Sequence, residues 1–130
     1  MRTRLLFIVT IAWLLVANCR PCYPSPLTEA VRVVESAGND RAVGDGGRSR
    51  GPMQCQRAAW TEACQYGKVQ WDYDTDVWDR EKSAQVFLWY GARYGAKTDE
   101  QFCRIWNGGP SGMRKRATDG YWRKVREAMR

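Results

Sequence analysis

Ser25-Pro-Leu-Thr-Glu-Ala-Val-Arg-Val-Val-Glu35, followed closely by Gly44-Asp-Gly-Gly-Arg-Ser-Arg-Gly-Pro52, decides how this chain is read. The first stretch predicts a helix. Ser25 suits the cap, Pro26 the first helical position and Gly38 the close, while Leu27, Val31 and Val34 fall on one face. The second stretch is glycine-rich and poor in apolar residues, and Asp45-Gly46 is a turn signal, so it predicts a hairpin or loop. Glu35 thus stands at the end of an apolar helix, facing an open glycine segment.

That position matters because the chain has no histidine. Ser–His–Asp and Cys–His catalysis are excluded, as are histidine-ligated metals. Carboxylates are then the leading source of acid and base chemistry. Glu35 is the leading acid; as a bare helix-end residue it would be only part of a polar surface. No cofactor and no metal are expected. Asp72-x-Asp74-x-Asp76 opens like an EF-hand loop, then carries Val77 where glycine is required and Ser83 where the bidentate glutamate should be. A solvated acidic loop with a helix cap is the simpler reading.

Outward from the hairpin, the pattern is helical. Helices are expected over Gln56 to Tyr66 and Asp79 to Tyr94, with Trp71 to Trp78 as a loop between them. Thr98 with Gln101 forms a capping box for another helix, which Gly108-Gly109-Pro110 ends. Thr118 would cap the last, Asp119 to Met129. The fold class is mainly α (α+β), with a small β-hairpin after the first helix.

At the N-terminus, Arg2 and Arg4 precede an apolar run from Leu5 to Ala17. The run is shorter than the roughly 20 residues of a spanning helix and has the layout of a secretory signal. Residues 1–19 are read as that signal and 20–130 as one domain, secreted, with no stable membrane span after cleavage. Cleavage fits after Ala17 or Cys19, and an uncleaved anchor is the alternative. Cys22, Cys55, Cys64 and Cys103 remain, which in a short exported domain suggests two disulfides. Cys55 and Cys64 on one helical stretch would be too far apart to bridge. The pairings left are Cys22–Cys55 with Cys64–Cys103, or Cys22–Cys64 with Cys55–Cys103.

The chain carries 21 Lys and Arg against 14 Asp and Glu, a formal net charge of +7, and the excess survives loss of Arg2 and Arg4. A basic exported domain is drawn to anionic bacterial surfaces, acidic glycans or lipid. Arg114-Lys115-Arg116 and Arg123-Lys124-x-Arg126 concentrate charge near the C-terminus. Basicity alone suggests nucleic acid, and no specific nucleic-acid partner is expected.

Two blocks carry a family resemblance. Glu35-Ser36 with Gly51-Pro-Met-Gln54 and Trp60-Thr-Glu-Ala-Cys64 resembles the Glu-Ser…Gly-Pro-(aromatic)-Gln…Tyr-Trp-x-Asp-Cys pattern of invertebrate-type lysozymes (the destabilase family). Gln101-Phe-Cys-Arg-Ile-Trp-Asn-Gly-Gly-Pro-Ser-Gly112 and Thr118-Asp-Gly-Tyr-Trp-Arg-Lys-Val125 resemble that family's Asn-Gly-Gly-Pro and Tyr-Trp-x-Lys-Val ending. Gly-Pro-x-Gln also resembles soluble lytic transglycosylases. The chain departs from the family's cysteine-rich pattern, matching it at Cys64.

The resemblance implies a lysozyme-like fold and a peptidoglycan substrate, cleaved at β-1,4 bonds between N-acetylmuramic acid and N-acetylglucosamine. It implies that Glu35 is the proton donor, with a pKa raised from about 4.3 toward about 6 by an apolar helix end. It places a second carboxylate on the hairpin, where Asp45 is nearest and Asp40 a weaker choice; Asp before Gly is equally an ordinary turn residue. Gln54, Trp106 and Asn107 would hold sugar by hydrogen bonds and stacking, while Gly108 and Gly109 let substrate approach the backbone. Core packing for Trp106 and helix termination for Asn107-Gly108 are the plain readings. If neither Asp45 nor Asp40 serves, a single-glutamate lytic transglycosylase follows; a non-catalytic cationic wall-binding protein on the same scaffold is a separate alternative.

Overall fold

The computed structural model describes residues 24–130, so the signal-like segment, Cys19 and Cys22 lie outside it. Helix α1 runs over Pro26–Ser36. Its start is fixed by a reciprocal capping box. The Ser25 hydroxyl accepts from the Thr28 amide at 3.2 Å, and the Ser25 amide donates back to the Thr28 hydroxyl at 3.0 Å. Two of the helix's orphan donors are satisfied this way. Leu27, Ala30 and Val31 are buried. The helix closes one residue earlier than expected, at Ala37, whose left-handed conformation (φ 50°) returns its amide to Val33.

The glycine segment folds into more than a hairpin. Strands β1 (Val43–Gly44), β2 (Ser49–Arg50) and β3 (Cys55–Gln56) form an antiparallel sheet in sequence order, with Val43 opposite Arg50 and Ser49 opposite Gln56. Gly51 makes the turn out of β2 possible. Its φ is +79°, and a Cβ there would meet the Val77 carbonyl oxygen at 2.1 Å.

Helix α2 (Arg57–Gly67) buries Trp60, Ala63 and Cys64. The expected loop over Trp71 to Trp78 contains a short helix, α3 (Tyr73–Asp76), because Asp72 caps the Thr75 amide at 3.0 Å. The three aspartates of the EF-hand-like start are used locally. Asp72 caps, Asp74 pairs with Arg50 and Arg57, and Asp76 pairs with Lys82. Helix α4 (Arg80–Arg93) starts at the Asp79 cap and packs between α2 and α5. Helix α5 (Asp99–Gly108) opens on the expected Thr98–Gln101 box.

The last helix, α6 (Thr118–Ala128), is not capped by Thr118. That hydroxyl is buried, accepts from Arg104 Nε at 2.8 Å and donates toward the Gly112 carbonyl at 2.8 Å. Arg104 is itself buried and also meets Glu100 at 3.0 Å and Asp119 at 3.1 Å. A buried cation demands such partners, and Thr118 is one of them.

Two apolar clusters form the core. One centres on Trp60, Ala63, Val77 and Val86 between α2 and α4; the other on Val31, Phe87, Cys103 and Val125 among α1, α4, α5 and α6. Phe102 and Trp106 pack against both and join them.

Cys55, Cys64 and Cys103 are buried free thiols, which corrects both expected disulfide schemes. Each scheme required a bond from Cys103 to Cys55 or Cys64. Cys103 lies in the α1–α6 cluster, whereas Cys55 and Cys64 lie in the α2–α4 cluster. Cys22 lies outside the described residues. No described helix is long and apolar enough to cross a membrane.

Candidate active site

A cleft of about 430 Å³ runs between the end of α1, the small sheet, the start of α2 and the end of α5. Of the expected site residues it gathers Glu35, Asp45, Gln54, Trp106 and Asn107. Residues 72 positions apart in the chain meet there because the α1 turn delivers Glu35 and the α5 end delivers Asn107.

Glu35 is half-buried on the last turn of α1. Its Oε1 accepts from the Tyr121 phenol at 2.7 Å. Burial is the main influence on its carboxyl and pushes the pKa from 4.5 up to about 7. The Tyr121 hydrogen bond opposes this, the Asp45 charge reinforces it, and the nearby Trp106 indole opposes it weakly. Glu35 therefore holds its proton near neutral pH, as a general acid must.

Asp45 lies across the cleft in a one-turn 3-10 segment, Asp45–Gly47. Its backbone is left-handed, with φ 51°, a conformation that costs a non-glycine residue free energy but that aspartate tolerates better than most. The Ser49 hydroxyl donates to Oδ2 at 2.5 Å and fixes the carboxylate's orientation. Asp40, the weaker candidate, is taken up by ion pairs with Arg80 at 2.6 Å and Arg32 at 3.6 Å.

Gln54 has a structural task as well as a place in the cleft. Its Nε2 donates to the Ala42 and Gly51 carbonyls at 3.0 and 3.2 Å, bracing the sheet on which Asp45 rides. Trp106 combines both roles weighed for it. Its indole N–H donates to the Met53 carbonyl at 3.2 Å, and its ring meets Phe87 and Tyr90 edge-on, yet one side lines the cleft. Asn107 is exposed on the rim.

Gly108 is not part of the lining. A Cβ at Gly108 would meet Thr118 Cγ2 at 2.6 Å, and its carbonyl accepts from Lys115 Nζ at 2.5 Å. The α5–α6 contact gives a packing reason for glycine there.

Residues beyond those expected also face the cleft. Glu62 on α2 accepts from the Tyr94 phenol and sits 3.6 Å from Arg93. Ser49, Gln56 and Tyr90 complete the polar wall. Tyr121 had a signal within the Tyr-Trp block and Glu62 within the Trp60–Cys64 block; Gln56 had none, being an ordinary polar residue at a helix entry.

No protein-family model matches the chain. Over 82 residues it is 37% identical to Lysozyme 1 of the oyster Crassostrea virginica, an alignment covering 59% of this chain and 43% of that relative. The chain thus spans less than half the length of the curated relative it matches. Among solved structures it is similar to Tapes japonica lysozyme, with a TM-score of 0.66 and 24% identity, covering 79% of this chain and 88% of that one. It is similar also to inhibitor-bound Meretrix lusoria lysozyme, with a TM-score of 0.65 and 23% identity over the same shares. The chain has the fold of these bivalve lysozymes, and in sequence it resembles the invertebrate-type lysozyme family.

Proposed function

We propose that this chain is a muramidase, hydrolysing the β-1,4 bond between N-acetylmuramic acid and N-acetylglucosamine in peptidoglycan. The observation that carries the proposal is Glu35, a carboxyl whose burial holds its proton to about pH 7 inside a polar cleft shared with Asp45. Glycoside hydrolysis commonly uses such a pair, one carboxyl to protonate the leaving oxygen and one to serve the sugar's opposite face. Glu35 protonates the glycosidic oxygen. Asp45, oriented by Ser49, supports the positive charge developing at the anomeric carbon. Trp106 offers an apolar edge to a pyranose ring, and Asn107 and Gln56 offer amide groups to its substituents.

The likeness to bivalve lysozymes supports the same reading. The N-terminal sequence supports secretion, and the basic excess supports attraction to anionic bacterial surfaces. Mass analysis of products from purified peptidoglycan tests the chemistry. Hydrolysis leaves reducing muramic ends. Products ending in 1,6-anhydromuramic acid would instead assign a lytic transglycosylase that uses Glu35 without Asp45.

A further inference from the structure

Beside the cleft, and sharing Gln56 and Ala58 with it, lies a second hollow of about 320 Å³. The two differ in sign. The cleft's charged side chains are the carboxylates Glu35, Asp45 and Glu62. The hollow's are the guanidiniums of Arg48, Arg50 and Arg57, set around Tyr73. Arg50 and Arg57 lie over the Tyr73 ring at 5.4 and 4.6 Å. Both also reach a single carboxylate, Asp74, at 2.8 and 2.7 Å, and these two cations hold Asp74 below the usual carboxylate range.

One carboxylate thus serves two of three cations, and the hollow keeps an excess of positive charge. Each guanidinium carries five donors in a planar fork. Those of Arg50 and Arg57 are oriented by the ring beneath and Asp74 beside, which lowers the side-chain freedom left to be lost on binding. Arg48 spends one donor on the Asp45 carbonyl at 3.1 Å and is otherwise exposed. Helix α2 adds to the field, because its first residue is Arg57 and its cap residue Gln56 makes no side-chain capping bond.

We propose that the Arg48–Arg50–Arg57 hollow is a subsite for the carboxylates that peptidoglycan bears on the lactyl arm of muramic acid. This rests on the muramidase reading for the identity of the glycan. A sugar chain held in the cleft presents its lactyl arm from the ring's edge. The hollow, reached across Gln56 and Ala58, is where a planar anion on that arm meets bidentate donors. Two sources share this chemistry: the free lactyl carboxylate of a stripped strand, and the carboxylates of an attached stem peptide. A neutral chitin-type glycan offers neither, so the subsite selects wall glycan over chitin.

The test is equilibrium binding to protein carrying Glu35→Gln, which separates recognition from turnover. Three oligomers of equal length serve as ligands: peptide-bearing wall glycan, the same strand freed of peptide by an amidase, and chitin oligosaccharide. Adding Arg48→Gln, and separately Arg57→Gln, is expected to lower the ratio of wall-glycan to chitin affinity about fivefold or more each. Arg48 is exposed and bonds only one backbone carbonyl, so its variant keeps the result readable should Arg57→Gln disturb the Tyr73 contact. A loss confined to the peptide-bearing ligand assigns the stem peptide as the anion; a loss confined to the stripped strand assigns the lactyl carboxylate, which is amide-linked in the other ligand; a loss on both shows that either carboxylate fills the hollow. Ratios unaltered by both substitutions, or no preference for wall glycan over chitin to begin with, overturn the subsite. If arginine-dependent binding persists but the parent releases no muramic ends, the failure belongs to the chemistry and not to the hollow.

Discussion

The Tyr121 phenol on α6 donates to Glu35 Oε1 at the end of α1, a 2.7 Å bond across 86 positions of sequence. The bond favours the charged carboxylate, while burial and Asp45 favour the neutral acid, and the neutral acid prevails to about pH 7. Side chains from three other segments thus tune the acid: Tyr121 of α6, Asp45 of the 3-10 turn and, weakly, Trp106 of α5.

Removing either partner should shift the alkaline limb of the activity profile, in opposite directions. Tyr121→Phe deletes a donor to the charged form, so Glu35 ionises at higher pH and activity extends upward. Asp45→Asn deletes a like charge, so Glu35 ionises at lower pH and the limb moves down. Asn tolerates the left-handed backbone of that position, so the fold should survive while kcat falls steeply. The pH dependence of kcat/KM on a soluble wall oligomer reads both shifts. A shift in the same direction for the two variants contradicts the electrostatics described.

Glu35 should also leave a mark on stability. In the native state it holds its proton to about pH 7, whereas in the unfolded chain it ionises near 4.5. Between these values the native protein binds more protons, so stability falls as pH rises through the window and then levels. The full loss is up to roughly 3 kcal/mol. Glu35→Gln should remove this fall, being more stable than the parent at pH 8 and similar to it at pH 4. Urea unfolding at the two values measures it.

Much of this arrangement was legible in the sequence, for local reasons. Ser25, Pro26 and the Thr98–Gln101 pair fix helix starts through bonds to neighbouring residues, and the structure keeps them. Asp45-Gly46 signalled the turn. What was not legible depended on contacts between distant elements. Thr118 looks like a cap until buried Arg104 claims its hydroxyl. Gly108 looks like a substrate-facing glycine until Thr118 occupies the space beside it. Glu62 enters the cleft only because α2 packs where it does.

Gly108→Ala should therefore be a stability variant. A methyl group placed 2.6 Å from Thr118 Cγ2 forces α5 and α6 apart, at a cost of about 1–3 kcal/mol. A lowered Tm shows the packing role. Full retention of Tm with weakened glycan binding would return Gly108 to the cleft.

The three described cysteines should behave as core thiols. Burial pushes Cys103 up to about 12, and it raises Cys55 and Cys64 as well. A brief alkylation pulse near neutral pH, followed by peptide mapping, should label none of the three in native protein and all three after denaturation. A bond from Cys103 to Cys55 or Cys64 contradicts the packing that puts them in separate clusters.

The central claim is that Glu35 donates the proton that breaks a glycan bond. Purified peptidoglycan digested by the parent and by Glu35→Gln, with release of muramic ends followed over time, tests it most directly. The account predicts release by the parent and a fall of at least about 100-fold in the variant, with glycan binding retained. Equal release of ends by the two proteins would contradict it.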